Sequence, residues 1–280
     1  MTAITQTPRR VLFCTYPSLY SEQVLELLLR DPELELVGVV LSTRVLRKSY
    51  GPLRASWQQI RRSGLRYAVY LWLVTRGYRW VRGLIRRADV WQQLQQRSIP
   101  LLSSRDINDA EGLAFLERYP ADFMLSAHFN QRVGPAILTR DGLCCLNIHP
   151  SLLPELRGVD PAFYALLRGR QRTGVTVHMQ EAEFDSGRIL AQQPLTVRWH
   201  DSVLSLNIKL FRLGALQAVE QMRQWQTGEQ GTAQVAGGEY DSWPDVAAVR
   251  TLRRQRKLWR WREWWRLARC PAQGKTQPPP

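Results

Sequence analysis

Cysteine is scarce in this sequence: the chain of 280 residues contains only four. None of the four has the Cys-x-x-Cys spacing of a zinc site, and so few thiols exclude a disulfide-stapled scaffold. The sequence therefore predicts reduced cysteines and no bound metal. The four are Cys14, Cys144, Cys145 and Cys270.

Long hydrophobic segments are also missing. The N-terminus has no apolar stretch of signal-peptide length ahead of the first predicted strand. The longest charge-free apolar run, residues 67–74, is much shorter than the ~20 residues that a helix needs to cross a bilayer. We therefore expect a cytoplasmic protein that does not span a membrane.

Acidic residues are few relative to basic ones, which gives a net charge of +15. The excess is confined to two segments: residues 44–97 carry +12 and residues 250–275 carry +9, so the rest of the chain carries −6. Eight of the eleven tryptophans lie in the same two segments. The sequence thus predicts a mildly acidic body with two basic, tryptophan-rich attachments.

Three interpretations of these attachments are open. The first is a pair of helical segments that face solvent or pack on the protein itself. The second is peripheral contact with an anionic membrane at its inner face, where each basic residue contributes ~1 kcal/mol. The third is nucleic acid, whose bases stack on aromatic side chains. Nucleic acid is the least favoured partner, because no nucleic-acid-binding motif accompanies the charge.

Two features bear on that choice. Residues 65–74 are apolar on all sides of a helix, which suits contact with lipid or with a protein groove better than exposure to water. In the tail, five apolar residues fall on one helical face, and arginines occupy much of the rest. The five are Leu258, Trp261, Trp264, Trp265 and Ala268.

The order of predicted elements indicates an α/β protein. Residues 10–14 are predicted as a buried strand, Ser21 as the N-cap of a helix that ends at Leu29, and residues 34–41 as a second strand. A strand, a helix and a strand in such a short stretch form a βαβ unit. The sequence therefore predicts a mostly parallel sheet with helices on both faces.

The same elements suggest how the chain is organised. We predict one α/β domain over residues 8–226, interrupted by the basic helical insertion at 44–97. A glycine-rich connector and a basic, tryptophan-rich helical tail follow at 227–280.

Three polar residues are placed where they can meet in space. Asn147 and His149 alternate at the end of a predicted strand, so their side chains point to the same side. Pro150 ends that strand at the carboxyl edge of the sheet, where open α/β sheets bind their ligands. A later strand, residues 174–179, leads into a polar loop, and we expect Asp185 of that loop to return to the same crevice.

An amide, an imidazole and a carboxylate suit the transfer of an acyl group. The amide can stabilise an oxyanion, and the imidazole can donate or accept a proton near neutral pH. A neighbouring carboxylate would raise the pKa of the imidazole and orient its ring. No serine or cysteine is evidently placed as a nucleophile beside a base. The sequence therefore favours direct attack by an amine, without a covalent enzyme intermediate.

A longer pattern surrounds these three residues. Residues 147–154 (Asn-Ile-His-Pro-Ser-Leu-Leu-Pro), Arg157-Gly158, residues 174–178 (Gly-Val-Thr-Val-His) and Asp185-x-Gly187-x-Ile189 follow in order. This pattern resembles the folate-dependent formyltransferases, which include glycinamide ribonucleotide formyltransferase and methionyl-tRNA formyltransferase. The resemblance implies their Rossmann-like fold, and it implies 10-formyltetrahydrofolate as the formyl donor.

The resemblance also implies roles for individual residues. Asn147 and His149 would stabilise the developing oxyanion, and Asp185 would act through His149 or a bound water in proton transfer. The pterin ring of the donor would lie in an apolar slot and bond to the backbone of two loops. The residues predicted to bind it are Phe129, Asn130, Gln131, Val133, Gln180 and Glu181. Two other histidines, His128 and His178, are expected to be architectural.

The sequence departs from this family in two places. No β-rich domain of the methionyl-tRNA formyltransferase kind follows Trp225, which disfavours tRNA as the acceptor. The loop at 14–20 contains no glycine, whereas glycinamide ribonucleotide formyltransferases hold the substrate phosphate there with a Gly/Ser-rich loop. We therefore expect a different primary amine, carried by a small molecule, a sugar or a lipid.

Three alternative functions stay open at this point. They are a glycinamide ribonucleotide formyltransferase, a hydrolase that passes the formyl group of 10-formyltetrahydrofolate to water, and a non-catalytic, membrane-associated folate-binding protein. The complete set of Asn147, His149 and Asp185 favours an enzyme, because binding alone does not require all three.

Overall fold

The computed structural model describes residues 7–44, 51–85, 90–226, 228–235 and 237–269. Cys270, the end of the predicted tail and part of the predicted insertion lie outside the described residues. The strands are β1 (Arg9–Thr15), β2 (Leu34–Ser42), β3 (Leu101–Ser104), β4 (Phe123–Ala127), β5 (Cys144–His149), β6 (Leu156–Gly158), β7 (Arg172–Met179), β8 (Ile189–Thr196) and β9 (Glu239–Asp241). The helices are α1 (Leu19–Arg30), α2 (Pro52–Trp72), which continues as a π-helical turn (Leu73–Gly77), α3 (Tyr78–Leu84), α4 (Val90–Gln96), α5 (Ala110–Arg118), α6 (Pro135–Leu138), α7 (Pro161–Leu167), α8 (Val203–Gln224), α9 (Val246–Gln255) and α10 (Trp261–Arg269).

Seven of these strands form one sheet in the order β3-β2-β1-β4-β5-β7-β8. The first five run parallel, and β7 and β8 are antiparallel to their neighbours. The prediction of a mostly parallel α/β sheet is confirmed. The chain moves to opposite sides of β1 when it forms β2 and β4, and such a switch point opens a crevice at the carboxyl ends of the strands.

The central strands are buried on both faces because alternate residues enter two separate cores. Val11 and Phe13 of β1 pack into a core with α1 and α8. Leu12 and Cys14 pack into a second core on the opposite face, which also contains Leu116 of α5. Burial on both faces of the sheet explains why the buried residues of β1 form a continuous apolar run in the sequence.

The first helix begins earlier than the sequence predicts. Ser18, and not Ser21, is the N-cap of α1. The two serines form a reciprocal capping box, in which Ser18 Oγ accepts from Ser21 N at 3.1 Å and Ser21 Oγ accepts from Ser18 N at 2.8 Å. The prediction was wrong because Ser21 stabilises the helix start from the third helical position.

One face of α2 is part of the protein core. Tyr67, Tyr70 and Val74 recur at helical spacing and are buried in the same core as α1 and α8. Leu65, Val69 and Trp72 lie on the other face of the helix and are exposed. The apolar residues of this segment therefore divide between the core and the surface. Among the described helices, none combines the length and the apolar character needed to cross a bilayer.

The tail packs against the insertion. Trp264 and Ala268 of α10 are buried, and Trp264 Nε1 donates to Leu73 O at 3.0 Å. Trp261, which shares their predicted face, is 61% exposed. The segment predicted as a glycine-rich connector contains a strand, β9, and a helix, α9, whose Val249 and Leu252 enter the main core.

A buried arginine joins the insertion, α1 and the tail. Arg82 is 2% exposed and donates to both carboxylate oxygens of Glu22, at 2.7 and 2.6 Å. It also donates to Ala268 O at 3.1 Å and to Leu267 O at 3.0 Å, near the end of α10. Its guanidinium therefore connects α3 to α1 and α10 through four hydrogen bonds.

Arg82→Met is expected to lower the free energy of unfolding by about 3–5 kcal/mol, because it removes the guanidinium that donates to both oxygens of the buried Glu22 carboxylate. Urea denaturation followed by circular dichroism measures this loss. Arg79→Met is the matched control, since Arg79 lies one turn earlier and is exposed, and we expect a change of less than about 0.5 kcal/mol there. Equal stability of the two variants would contradict the role given to Arg82.

Candidate active site

A cavity of about 910 Å³ opens at the carboxyl ends of β4 and β5 and is bordered by the insertion. Its wall contains all nine residues predicted to act on or bind a substrate. They are Phe129, Asn130, Gln131, Val133, Asn147, His149, Gln180, Glu181 and Asp185. The fold thus brings two strand ends and two distant loops together around one space.

The end of β5 and the loop after β7 meet in an ion pair. His149 Nδ1 lies 3.1 Å from Asp185 Oδ1, and both side chains are more than nine-tenths buried. The other carboxylate oxygen of Asp185 accepts from Gly158 N at 2.9 Å. Asp185 is therefore held from two sides and faces His149, as expected from the sequence.

Both ring nitrogens of His149 face hydrogen-bond acceptors. Nδ1 faces the Asp185 carboxylate, and Nε2 donates to Leu156 O at 2.8 Å. Neither partner has a proton to give, so both nitrogens carry one and the ring is an imidazolium. Burial alone would lower the pKa of His149, but the charge and hydrogen bond of Asp185, with the Leu156 carbonyl, raise it above its ordinary value.

The pKa of Asp185 moves in the opposite direction. Burial would raise this pKa, but the charge and hydrogen bond of His149 and the Gly158 N–H group hold it well below its ordinary value. The two opposite shifts both favour the pairing of an imidazolium with a carboxylate.

His178 orients Asn147. Its Nδ1–H donates to Met179 O at 2.7 Å, so Nε2 carries a lone pair that accepts from Asn147 Nδ2 at 3.0 Å. The pKa of His178 is lowered to about 4, and burial is the largest cause. The charge of Asp185 opposes this shift, and the charge of His149 adds to it by a smaller amount. The ring is neutral at neutral pH, and one of the two Nδ2 protons of Asn147 is left for a ligand.

This contact was missed by sequence reasoning, which treated His178 as architectural. The signal that reveals it is the antiparallel pairing of β5 with β7, which places Asn147 directly opposite His178. The sequence predicts both strands, but it does not give their register.

The loop after β4 is held to the sheet by its own side chains. Gln131 Nε2 donates to Ser42 Oγ and to Ser104 O, both at 2.9 Å, and its Oε1 accepts from Ile107 N at 2.7 Å. Val133 is 3% exposed and packs in the second core. These residues can therefore offer a ligand their backbone groups rather than their side-chain polar atoms.

The two predicted binding loops meet at the cavity. The guanidinium of Arg132 lies 5.2 Å above the ring of Phe184, a cation–π contact between the loops. Arg157 Nη2 also donates to Phe184 O at 2.9 Å. Positive charge and an aromatic face thus lie together in this part of the cavity wall.

Two glycines let the loop around Asp185 fold. Gly158 has a φ of +93°, and a Cβ there would lie 2.2 Å from Asp241 O. A Cβ on Gly187 would lie 1.8 Å from Met179 O. Larger residues would displace the backbone that presents Asp185 to His149.

The contribution of the insertion to the cavity was also missed. Tyr67 and Tyr70 of α2 line the wall, and Tyr67 Oη donates to Asp160 Oδ2 at 2.7 Å. No local sequence pattern predicts this contact, because it depends on how the insertion packs against the rest of the protein.

The described residues form neither a metal-binding cluster nor a reactive thiol. Within the ranges that the structure describes, no group of three or more His, Cys, Asp or Glu residues could hold a metal ion. Among the described residues, Cys14, Cys144 and Cys145 are free cysteines. Burial raises the pKa of Cys144 and Cys145 to about 12, so neither is a poised nucleophile.

The family model and the curated relatives that match this sequence belong to the same family. Residues 53–220 match the model of the Formyl transferase family. Methionyl-tRNA formyltransferase of Thermotoga maritima is 32% identical over 134 residues, which are 48% of this chain and 43% of the relative. The enzyme of the same name from Cyanothece is 29% identical over 220 residues, 79% of this chain and 56% of the relative. The chain thus spans about half the length of the curated relatives it matches.

Solved structures show the same fold. Phosphoribosylglycinamide formyltransferase from Bacillus halodurans superposes with a TM-score of 0.53 at 18% identity, covering 79% of this chain and 96% of that one. A sugar N-formyltransferase from Shewanella gives a TM-score of 0.53 at 14% identity, covering 84% of this chain and 76% of that one.

Proposed function

Because the chain belongs to the formyl transferase family, we propose that it transfers a formyl group from 10-formyltetrahydrofolate to a primary amine carried by a small molecule, a sugar or a lipid. The observation that carries the proposal is the buried His149–Asp185 ion pair beside Asn147 in the wall of one cavity. Residues 8–226, with the insertion at 44–97, are the proposed formyltransferase domain, and 227–280 are its extension.

Asn147 and His149 have complementary roles in the proposed reaction. The amine nitrogen attacks the formyl carbon, a carbon–nitrogen bond forms, and negative charge develops on the formyl oxygen. The unused Nδ2 proton of Asn147 is the donor to this oxygen, and the positive charge of His149 stabilises it from nearby. The attacking nitrogen then loses one proton, the bond between the formyl carbon and N10 breaks, and N10 takes one proton. The products are an N-formyl amine and tetrahydrofolate.

His149 acts through its charge in this account. Its Nε2 proton is already donated to Leu156 O, so a substrate oxygen does not need to displace that bond. Asp185 acts through His149, because it keeps the imidazole protonated and fixes the ring plane.

The cavity has the properties that a folate donor requires. Its volume lies near the upper end of the ~300–1,000 Å³ typical of small-molecule sites, which leaves room for a donor and an amine together. Phe129 and Phe184 supply apolar surface for a pterin, and the backbone of the two loops supplies hydrogen-bonding groups. Arg132 lies in the same wall and suits the carboxylates of the glutamate part of a folate.

The start of α1 argues for an acceptor other than glycinamide ribonucleotide. Ser18 and Ser21 satisfy each other's backbone N–H groups, so these donors are already used. This use of the first backbone donors disfavours a phosphate at this helix start.

An amine screen tests the proposed transfer. The protein is incubated with 10-formyltetrahydrofolate and, separately, with amino sugars, amino acids and amines on lipid carriers. We expect one class to accelerate tetrahydrofolate formation and to yield an N-formyl product in the mass spectrum. Tetrahydrofolate formation that is independent of every amine would instead indicate the hydrolase, and no turnover at all would contradict the proposal.

A second proposal concerns the exposed face of the insertion. Leu65 is 63% exposed and Trp72 is 49% exposed, and both border the cavity. Trp57, 56% exposed, carries the guanidinium of Arg61 4.7 Å above its ring. Aromatic and basic residues together suit the headgroup region of an anionic membrane, and contact there would bring a lipid-linked amine to the cavity.

Vesicle flotation tests this contact. We expect the protein to float with anionic vesicles at low salt, and not with neutral ones, because basic residues supply much of the attraction. Replacing both Leu65 and Trp72 by glutamine should reduce flotation severalfold. Trp199→Gln is the control, since Trp199 is 82% exposed outside the insertion. Absence of flotation of the unchanged protein at low salt would overturn the proposal.

A further inference from the structure

Asp160 is a carboxylate in the cavity wall that has only neutral partners. Its Oδ2 accepts from Tyr67 Oη at 2.7 Å, and its Oδ1 accepts from Asn207 Nδ2 at 3.0 Å and from Phe163 N at 3.4 Å. Within the described part of the chain, no Lys, Arg or His forms an ion pair with it. It remains partly exposed, and it lines the same cavity as His149.

The three donors favour the anionic form of this group. Each oxygen accepts hydrogen bonds and none donates one, which is the pattern of a deprotonated carboxylate. Burial raises the pKa of Asp160, and the bonds from Asn207, Tyr67 and Phe163 oppose that rise. A desolvated anion without a counter-charge is costly unless something pairs with it.

Aromatic side chains share the cavity with this anion. Tyr20, Tyr67, Tyr70, Phe211 and Trp243 all line the cavity. Burial and the charge of Asp160 raise the pKa of Tyr20 and Tyr67 well above its ordinary value, so their hydroxyls stay protonated. The ring of Tyr67 lies 6.4 Å from that of Trp243. Aromatic faces next to one carboxylate form an environment that attracts organic cations.

Asp160 also adjoins the candidate catalytic pair. It follows two residues after Gly158, whose N–H group holds Asp185. Its backbone is left-handed, with φ 49° and ψ 59°, which turns the chain from β6 into α7. A group bound at Asp160 therefore shares the cavity with Asn147 and His149.

We infer that Asp160, oriented by Tyr67 of the insertion, is the residue that recognises the acceptor, and that the acceptor enters as a primary ammonium. The inference rests on the proposed function, because it names the acceptor class of that same site. The ammonium releases one proton to solvent before attack. The amine then takes the formyl group, and N10 of the donor takes the second proton, so that one proton is released overall.

Binding of a simple amine without any folate tests this inference. The probes are hexylamine, a cation at neutral pH, and hexan-1-ol, a neutral molecule of equal length, titrated by ligand-observed NMR. Asp160→Asn removes the charge and keeps the shape, and asparagine tolerates left-handed backbone. Asp109→Asn is the matched control, because Asp109 also caps a helix, accepting from Gly112 N at 2.8 Å, but does not line the cavity.

We expect hexylamine to bind the unchanged protein and Asp109→Asn equally, and Asp160→Asn at least about tenfold more weakly. Hexan-1-ol should bind all three alike and more weakly than hexylamine in the unchanged protein. Equal affinity of hexylamine for Asp160→Asn, or no binding to the unchanged protein, would overturn the inference. Should Asp160→Asn fail to fold, Tyr67→Phe removes the orienting hydroxyl, and an unchanged preference for the amine would then overturn it.

The two proposals fail separately. If the protein binds a folate analogue but Asp160→Asn does not weaken amine binding, only the acceptor site is refuted. If amine binding depends on Asp160 but the protein binds no folate analogue, the proposed function is refuted and Asp160 is part of a cation-binding site.

Discussion

Replacing Asn147 by alanine is expected to lower kcat for formyl transfer by about 10²–10³-fold, the usual cost of removing one donor from an oxyanion site. The reason is geometric. Asn147 is held by His178 with one Nδ2 proton to spare, while the Nε2 proton of His149 is bound to Leu156 O. In the proposed reaction Asn147 is therefore the direct donor to the formyl oxygen, and alanine has no group that replaces it.

Single-turnover kinetics with 10-formyltetrahydrofolate and an amine found in the screen measure this effect. Binding of a stable donor analogue serves as the control, because the contact is made mainly in the transition state and affinity should change little. A fall in kcat of less than about tenfold, with the fold intact, would show that the oxyanion is stabilised elsewhere.

Replacing Asp185 by asparagine is expected to lower activity at neutral pH and to move its pH dependence. In the unchanged protein the charge of Asp185 outweighs burial and raises the pKa of His149. Without that charge, burial dominates and the pKa of His149 falls. In the proposed reaction the imidazolium is the active form. Activity is therefore expected to be lost as pH rises through this pKa, and the loss should occur at lower pH in the variant.

The alkaline limb of kcat at saturating amine reports this shift, since kcat reflects groups in the enzyme–substrate complex. We expect the limb to move to lower pH, and activity at neutral pH to fall by about 10²-fold, the lower end of the cost of losing one group that stabilises an oxyanion. The imidazole signals of His149 in NMR titrations give the same pKa without turnover. An alkaline limb that stays in place, or moves to higher pH, would contradict an active imidazolium.

The sequence predicts the centre of the site well because its signals are local. Alternation along one strand places Asn147 and His149 on the same side, and the motif around Asp185 brings a carboxylate to them. The parallel sheet follows from the order of apolar strands and helices. These features need no knowledge of how distant segments dock.

The parts that escaped prediction depend on long-range packing. The contact of His178 with Asn147 requires the register of two antiparallel strands. The bond from Tyr67 to Asp160 joins residues 93 positions apart, and Arg82 reaches Glu22 across 60 positions. Such contacts are fixed by the docking of the insertion, and no spacing in the sequence encodes them.

The basic insertion also shows why amino-acid composition alone does not distinguish packing on the protein from contact with a membrane. Tyr67, Tyr70 and Val74 supply core packing, while Leu65 and Trp72 supply an exposed apolar face. One helix therefore supports the self-packed interpretation on one side and leaves the other side free for a membrane. Apolar residues all around a helix carry no periodic signal that separates the two.

The central claim is that the cavity binds 10-formyltetrahydrofolate beside Asn147, and calorimetric titration with a stable donor analogue tests it most directly. Gln180→Trp is the matched variant, because its larger side chain would fill the wall between the two loops while the bond from Gln180 N to Cys145 O, 2.8 Å, is kept. We predict one-to-one binding at micromolar analogue by the unchanged protein, and its loss in a folded Gln180→Trp variant. No binding at millimolar analogue would contradict the account, because the fold would then be present without the donor site.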